Sequence, residues 1–588
     1  MIVPMKKATI LFPEGEAAAA VASLRSLGVM HVEHQNPPEG RNIPLIQENV
    51  NLINAALDIL EQAVASGQEI QPQEAVGGDW TATAAHITDL GKRREQLEAL
   101  TRTITSQINK WVPWGDIDLG QVRQLREKGI RLALYQVPQK ELGSFPDDVV
   151  VRKIFSAGDI AYCVAVSRRQ FDTAFTEIIP PEEGLSALEG RLTKTAAAIG
   201  EVQAAIAWCT RYHDELVSIR KLLVKEIEFQ QVLAGMGKEG AFGYVTGYIP
   251  FDVEQALIGE VKGRKWGILI TDTSDGDNVP TLLRNPAWID RIKPVFNLLG
   301  LTPGYRELDV SMLFLVFLSI FFGILIGDAG YGLVYILITF VLQKKMKETP
   351  ELKTTFSLFY VLGLSAVIWG VMTGTFFGQT WLRDLGVQPL VPPLNDPNTM
   401  TTFCFFLGAL HLSIAHAWRA ALKYPSLKVL ADCGYICILW GAFYLAKTLI
   451  LGDAFPPLGI WLFAGGILLV ILFTNPQRNM LRAIGEGLGT IALSLMNNIT
   501  DVISYIRLFA VGLAGLAIAE TTNNLASGFG EGIMAVIAGA AIILIGHGLN
   551  IILGPMSVLV HGVRLNVLEF SGHANVTWSG YTFEPLKE

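Results

Sequence analysis

Residues 488–519 read LGTIALSLMNNITDVISYIRLFAVGLAGLAIA, an apolar run that nonetheless carries Asp501 and Arg507. A helix crosses a bilayer with about 20 apolar residues. This run is longer than one crossing needs, which implies strong tilt or extension beyond the lipid. At about 100° per residue, Thr490, Ser494, Asn497, Thr500, Asp501, Ser504 and Arg507 share one face roughly 140° wide. The last apolar run, residues 533–560, leads into a second stripe: His547, Asn550, Ser557, His561 and Arg564 fall within about 100° of one another. An arginine at mid-bilayer costs at least about 2.5 kcal/mol and usually faces a partner or water. The plain alternatives are a structural pair of Arg507 with Asp501 and snorkelling of Arg564 toward the cytoplasmic end. Two matched stripes fit better with opposite walls of a water-filled or protein-facing groove.

Upstream, apolar stretches occupy residues 310–342, 356–377, 402–421, 429–451 and 458–473. The first is too long for one crossing, and Gly327-Asp328-Ala329-Gly330-Tyr331-Gly332 interrupts it. Splitting it there predicts about eight crossings. Cytoplasmic loops carry an excess of Lys and Arg, which tests that number independently. Lys344, Lys345, Lys347 and Lys353 follow the second crossing, Arg419, Lys423 and Lys428 the fourth, Arg478 and Arg482 the sixth. Between them, residues 379–400 hold only Arg383 and residues 452–459 neither Lys nor Arg. Eight crossings put every basic loop and both termini in the cytoplasm. Asp328 is expected to cap an outer-face turn.

Hydrophobic residues make up 51% of the 588 and charged residues 17%, with a mean hydropathy of +0.38. Soluble domains carry about 25% charge, so part of the chain sits in lipid. The charged part lies before about Leu301. There, residues 8–12 and 29–32 read as strands around an amphipathic helix. Leu90, Leu97, Ile104 and Trp111 then repeat every seven residues, as do Leu185, Leu192, Ile199 and Ile206, the pattern of a coiled-coil seam. A βα-like segment separates the two series (residues 130–137, 149–155 and 160–166), and residues 241–270 read as a closing α/β piece. The expected fold is two-part. Residues 1–305 form cytoplasmic α/β lobes joined by an antiparallel helical coiled-coil arm, with an ordinary helical bundle as the alternative. Residues 306–588 form an all-α polytopic membrane domain of about eight helices, the last two long and tilted.

The net charge of −8, without a basic run, argues against a nucleic-acid partner. Five cysteines (Cys163, Cys209, Cys404, Cys433 and Cys437) show no framework spacing, which fits a reducing compartment for the N-terminal half. Cys433 and Cys437 lie one turn apart in an apolar run, where packing outweighs a metal site. Residues 1–16 do not read as a signal peptide, so the N-terminal half is expected in the cytoplasm. Gly235-Met236-Gly237-Lys238 lacks the upstream Gly and the following Ser or Thr of a phosphate loop. No cofactor or metal is expected, and nucleotide chemistry is expected on partner chains.

SYIRLFAVGLA at residues 504–514 resembles the signature of subunit a of V/A-type rotary ATPases, called subunit I in bacteria and archaea. HGVRLNVLEF at 561–570 is similar to that family's final-helix motif. FGILIGDAGYG (322–332), WGVMTGTFFG (369–378), PGYRELD (303–309) and GYIP (247–250) resemble further family segments in the same order. The likeness covers essentially the whole chain. It implies a stator subunit in a multi-pass cell-membrane location, set against a rotating ring of proteolipid subunits with one buried carboxylate each. It also implies peripheral-stalk partners on the cytoplasmic lobes.

By the same resemblance, Arg507 discharges the ring carboxylate and separates two aqueous half-channels, and Arg564 plays the second such role. A carboxylate in lipid prefers to be neutral. Beside Arg507 its charged form gains roughly 4 kcal/mol at about 4 Å and an effective dielectric near 20. Asp501, Ser504, Asn497, His547, Ser557, His561 and Glu569 are expected to line the half-channels, and His411, His416 and Arg419 the outer one or ordinary helix packing. Eukaryotic members carry polar or ionisable residues near where this chain has Gly515 and Asn566. A secondary transporter or channel with a cytoplasmic coiled coil is the alternative, although no internal hydropathy repeat of the kind such proteins show is evident. A membrane-anchored scaffold would not need the stripes.

Overall fold

The computed structural model describes residues 1–588 except 41, 67–77, 117, 170, 179–182, 347–348, 380–388, 475–493, 529–531 and 588. Lys347, Arg383, Arg478, Arg482 and Thr490 therefore lie outside the described residues. The described chain is mostly helical and divides into two compact units. One comprises Met1–Thr9, Val29–His31 and Gly247–Pro585; the other Ile10–Gly28, Val32–Thr246 and Leu586–Glu588.

The second unit is built on helices α1 (Ala17–Leu27), α2 (Asn42–Ala65), α3 (Trp80–Trp111), α4 (Leu119–Glu127), α5 (Leu185–Cys209) and α6 (His213–Gly235). Helix α3 starts where the Asp79 side chain accepts from the Thr81 amide, satisfying a donor the first turn leaves open. Ile53, Leu57, Leu60, Ile87, Val202, Ile206 and Leu216 form a shared core. Farther along, Ile104 and Ile108 of α3 meet Leu188 of α5. Ile104, Trp111 and Ile206 of the heptad series are buried, and Leu90 and Leu97 pack partly buried beside the core.

Among the described residues there are nine strands: β1 (Met5–Pro13), β2 (His31–Glu33), β3 (Arg131–Pro138), β4 (Val150–Ala157), β5 (Ile160–Ser167), β6 (Glu177–Ile178), β7 (Gly237–Glu239), β8 (Phe242–Pro250) and β9 (Gly267–Asp272). One sheet runs β2-β8-β1-β9 with β7 on β8, the other β4-β5-β3-β6. In the latter, Leu134 pairs with Val164 and Tyr135 with Cys163. Successive side chains of a strand point to opposite faces. Tyr135, Val137 and Cys163 accordingly fill one core, and Leu134, Tyr162 and Val164 pack on Trp111 and Trp114. The βα-like expectation is corrected here, because every pairing in this sheet is antiparallel. Only Gly158 and Asp159 separate β4 from β5, too few for the crossover a parallel pair requires.

The first unit holds α7 (Glu254–Gly263), α8 (Lys293–Leu299), α9 (Ser311–Ile326), α10 (Ala329–Lys345), α11 (Pro350–Thr373), α12 (Pro397–Lys423), α13 (Val429–Leu451) and α14 (Pro457–Phe473). Helix α15 (Ser494–Ser527) and the continuous run Ile533–Ala574 follow. That run opens as α16 (Ile533–Ser557) and continues through two π-helical stretches, Val558–Gly562 and Leu565–Phe570. Among the described residues, α11, α12, α13, α15 and the run Ile533–Ala574 are long and apolar enough to cross a membrane. Helices α9 and α10 add a sixth span if taken as one, bent by 120°.

The α9–α10 bend has a local cause. Gly327 ends α9 in the left-handed region at φ 65°, which glycine enters without a Cβ clash. Asp328 then accepts hydrogen bonds from the amides of Gly330 and Tyr331, capping α10, and from those of Phe377 and Gly378 beyond α11. Opposite it, a Cβ on Gly370 would fall 2.0 Å from the Ala329 nitrogen, so only glycine lets α11 come this close. Later, Pro555 removes one amide from α16, and the hydroxyl of Tyr335 donates instead to Ile551 O at 2.9 Å. The carbonyl that a proline leaves without its i+4 donor is thereby satisfied.

Candidate functional site

Arg507 sits just past a break in α15 at Tyr505. Its Nε donates to Ser504 O at 3.0 Å, and its Nη2 to Glu569 Oε1 at 3.0 Å. Arg564 Nε lies 3.6 Å from the same oxygen. The Arg507 side chain is 25% exposed, Arg564 53% and Glu569 5%. Both arginines of the two stripes thus converge on one buried carboxylate. The other oxygen of that carboxylate, Oε2, is buried with no hydrogen-bond partner. Asp501, the expected alternative partner of Arg507, pairs with His573 instead.

Four side chains fix this arrangement. The Tyr505 hydroxyl is hydrogen-bonded to His411 Nδ1 at 2.8 Å, both residues being fully buried. The imidazole is stacked between Phe317 at 3.7 Å and Phe570 at 4.3 Å, ring centre to ring centre. Gly408, one turn before His411, leaves room for the Tyr505 ring, whose Cγ would stand 2.7 Å from a Cβ there. One histidine of α12 therefore holds the residue two before Arg507 and the residue one after Glu569.

A second polar chain runs from Asp501 through His573 (3.1 Å) and His416 (2.9 Å) to the fully buried Asp432 (3.4 Å). Lys423 and Arg419 face Asp432 at 2.5 and 3.5 Å, and Arg419 also donates to His573 O. His547 belongs to a third group, with Tyr331 OH at 2.6 Å and Asn523 Oδ1 at 3.0 Å. Asn550 donates to the carbonyl of Gly515 and to Tyr331 OH, so an amide occupies the neighbourhood of Gly515. Asn566 is fully buried and donates to Gly562 O. Ser504 bonds within its own helix to Thr500 O. Asn497 is exposed, and Ser557 and His561 are half-buried.

The structure thus brings together Arg507, Arg564 and Glu569, joins Asp501 to His416, and sets His547 apart with Tyr331 and Asn523. The stripe drawn from His547 to Arg564 assumed uniform α-helix. The π turns from Val558 onward change the angular step, which is why Asn550 faces inward while Arg564 is exposed. Sequence reasoning passed over Tyr331, Asn523, His573 and Glu520. Glu520 falls one residue past the apolar run, where it reads as a boundary.

No family model matches the chain. V-type ATP synthase subunit I of Borreliella burgdorferi is 29% identical over the whole of both chains. Subunit I 1 of the V-type ATP synthase of Treponema pallidum is 28% identical, again over the whole of both. The A-type ATP synthase subunit I of Methanocaldococcus jannaschii is 25% identical over 69% of this chain and 64% of its own. The homologues of this chain are V/A-type ATP synthase subunits I. These relatives are named as subunits of ATP synthases, and this chain has helices long and apolar enough to cross a membrane. Among solved structures, the cytoplasmic N-terminal domain of subunit I, homolog of subunit a, of V-ATPase aligns with 45% of this chain and all of its own at a TM-score of 0.23 and 15% identity. That score carries no weight on the fold.

Proposed function

We propose that this chain is the stator of its complex, guiding ions past the arginine pair to and from a rotating ring of carboxylate-bearing subunits. The observation that carries this reading is the convergence of Arg507 and Arg564 on buried Glu569, in helices that leave much of their surface open. Two thirds of the α12 span is buried, against 22% of α15 and 11% of the run Ile533–Ala574. The last two spans therefore retain a broad apolar face for a partner in the membrane. A ring carboxylate arriving there meets a guanidinium that favours its charged form, and its ion leaves. Two half-channels on either side of the arginines complete the path, drawing on Asp501, Ser504, Asn497, His547, Ser557, His561, Glu569, His411 and His416. Counting α9, α10 and α14 as crossings gives eight spans and cytoplasmic termini, with residues 1–305 as the arm that carries the stalks and 306–588 as the translocating domain.

Because Arg507 donates the hydrogen bond to Glu569, Arg507→Ala alone leaves the buried carboxylate with only the Arg564 guanidinium, 3.6 Å away. The informative variant is Arg507→Ala with Glu569→Gln. It should assemble, checked by co-purification of the ATPase subunits, yet show no ATP-driven ion uptake in inverted vesicles. Normal uptake by the assembled double variant would overturn this reading.

A further inference from the structure

A cavity of about 290 Å³ follows one side of α15. Its α15 wall is Leu508, Phe509, Gly512, Leu513, Leu516 and Glu520, a helical face about 18 Å long at about 1.5 Å per residue. It starts at Leu508, level with Arg507, and ends at Glu520 toward the end of the crossing. Across from that wall stand the polar groups of Thr373, Thr375, Gln379 and Asn395, from the end of α11 and the connection to α12. That end lies away from the basic α10–α11 connection with Lys344, Lys345 and Lys353, hence on the outer side of the membrane. At Gly512 the helix packs so close to the end of α9 that a Cβ would meet Ile324 O at 2.7 Å. Water occupies about 30 Å³ per molecule in the liquid, so several waters fit in file.

Glu520 is exposed and makes no hydrogen bond or ion pair with the described residues. Glu520 stands one residue past the apolar run, so its free carboxylate is placed at the outer mouth of the cavity. At about 100° per residue it lies roughly 140° around the helix from Arg507. The exposed stripe of α15, with Ala510, Leu513, Ala514, Ala517 and Asn524, runs between the two. Arg507 and Glu520 therefore border opposite edges of the face left open for a partner.

We infer that this cavity is the outer half-channel and that Glu520 is its ion-accepting carboxylate, taking up the cation that arrives from outside. The inference rests on the stator reading above and adds to it a place and a residue. Glu520 binds the cation at the outer mouth, passes it along the cavity to or from the depth of Arg507 according to the direction of transport, and returns to the free carboxylate.

The test uses the complete complex. Cysteines replacing Leu516 and Glu520 are exposed in intact cells to a charged, membrane-impermeant thiol reagent, with the unmodified chain as background. Glu520→Gln and Glu520→Asp complexes are assayed in inverted vesicles for ATP-driven proton and sodium uptake, followed separately. Expected are labelling of both cysteines from outside, a ten-fold or greater fall in uptake of the transported ion for Glu520→Gln, and recovery of most activity in Glu520→Asp. Where the Gln variant fails to assemble, labelling of the Leu516 cysteine decides. Absence of outside labelling, or normal uptake by Glu520→Gln while the Arg507→Ala, Glu569→Gln complex is inactive, overturns this inference alone. Normal uptake by that double variant overturns the stator reading itself.

Discussion

His411 fixes the backbone on both sides of the arginine's ion pair: it is stacked between two phenylalanines, one of them next to Glu569, and bonded to Tyr505, two residues before Arg507. Arg507 also spends two donors on Ser504 O and Glu569, a fork that lysine cannot reproduce with a single ammonium. Arg507→Lys should therefore assemble normally but lose roughly ten-fold or more of coupled ion uptake, because the compact and more strongly hydrated ammonium meets neither oxygen in the same geometry. Uptake within two-fold of the unmodified complex would show that charge alone suffices. At this scale the sequence disclosed the arginines, because a charge inside an apolar run is costly enough to notice. It did not disclose their partner. Glu569 lies within the second of two π-helical stretches, and a pattern built on 3.6 residues per turn misplaces everything from the first one onward. His573 and Tyr331 escaped for a different reason: each sits at the end or start of an element, where hydropathy says little and contacts are long-range.

At the scale of elements, the α9–α10 break shows how much a short motif can specify. Gly327, Asp328 and the glycine-rich turn were legible as an interruption, and the capping role of Asp328 followed from its position. That the same carboxylate also holds Phe377 and Gly378, some fifty residues on, was not legible, since nothing local connects the two motifs. Replacing Asp328 by Ala leaves the amides of Gly330, Tyr331, Phe377 and Gly378 without their acceptor in a buried place. At about 1–3 kcal/mol for a buried group left unsatisfied, the variant should lose on the order of 3 kcal/mol after relaxation. Thermal unfolding of the detergent-solubilised complex should register this as a clear drop in Tm. An unchanged Tm would mean that water replaces the carboxylate. The two heptad series fall on helices α3 and α5, yet gave no sign that the intervening strands pair antiparallel, because alternation is the same in both kinds of sheet.

Across the whole molecule, the loop charges make a claim that chemistry can check. Cysteines at Lys345 and Asp396 should label from opposite sides of the membrane, the former from the cytoplasm, and labelling of both from one side would end the eight-crossing arrangement. The C-terminal tail is anchored on the pre-membrane PGYRELD segment. Glu307 accepts from the amides of Gly304 and Thr577 at 2.7 and 2.8 Å and from that of Trp578 at 3.3 Å. Burial alone would push its carboxyl up, but these bonds and the Thr577 hydroxyl hold it below the usual glutamate value. A depressed carboxyl stabilises the fold above its unfolded pKa of about 4.5 and ceases to as pH falls through the lower folded value. Hydrogen exchange of the amides of residues 575–583, corrected for its intrinsic pH dependence, should therefore accelerate in acid. In Glu307→Gln it should already be fast at neutral pH. Equal protection in both proteins would place the anchor elsewhere.

The open face of the last two spans has one more consequence. Leu544, Ile545, Ile552, Val560 and Leu568 are among its most exposed side chains, and all are aliphatic. Aliphatic contact is weak per atom pair and has no preferred direction, so a neighbour sliding across such a surface meets no deep wells. Hydrogen bonds at each step would act as detents, gripping and releasing with every register shift. On the proposed reading the face would serve as a dry bearing, with directional contacts confined to the arginine pair.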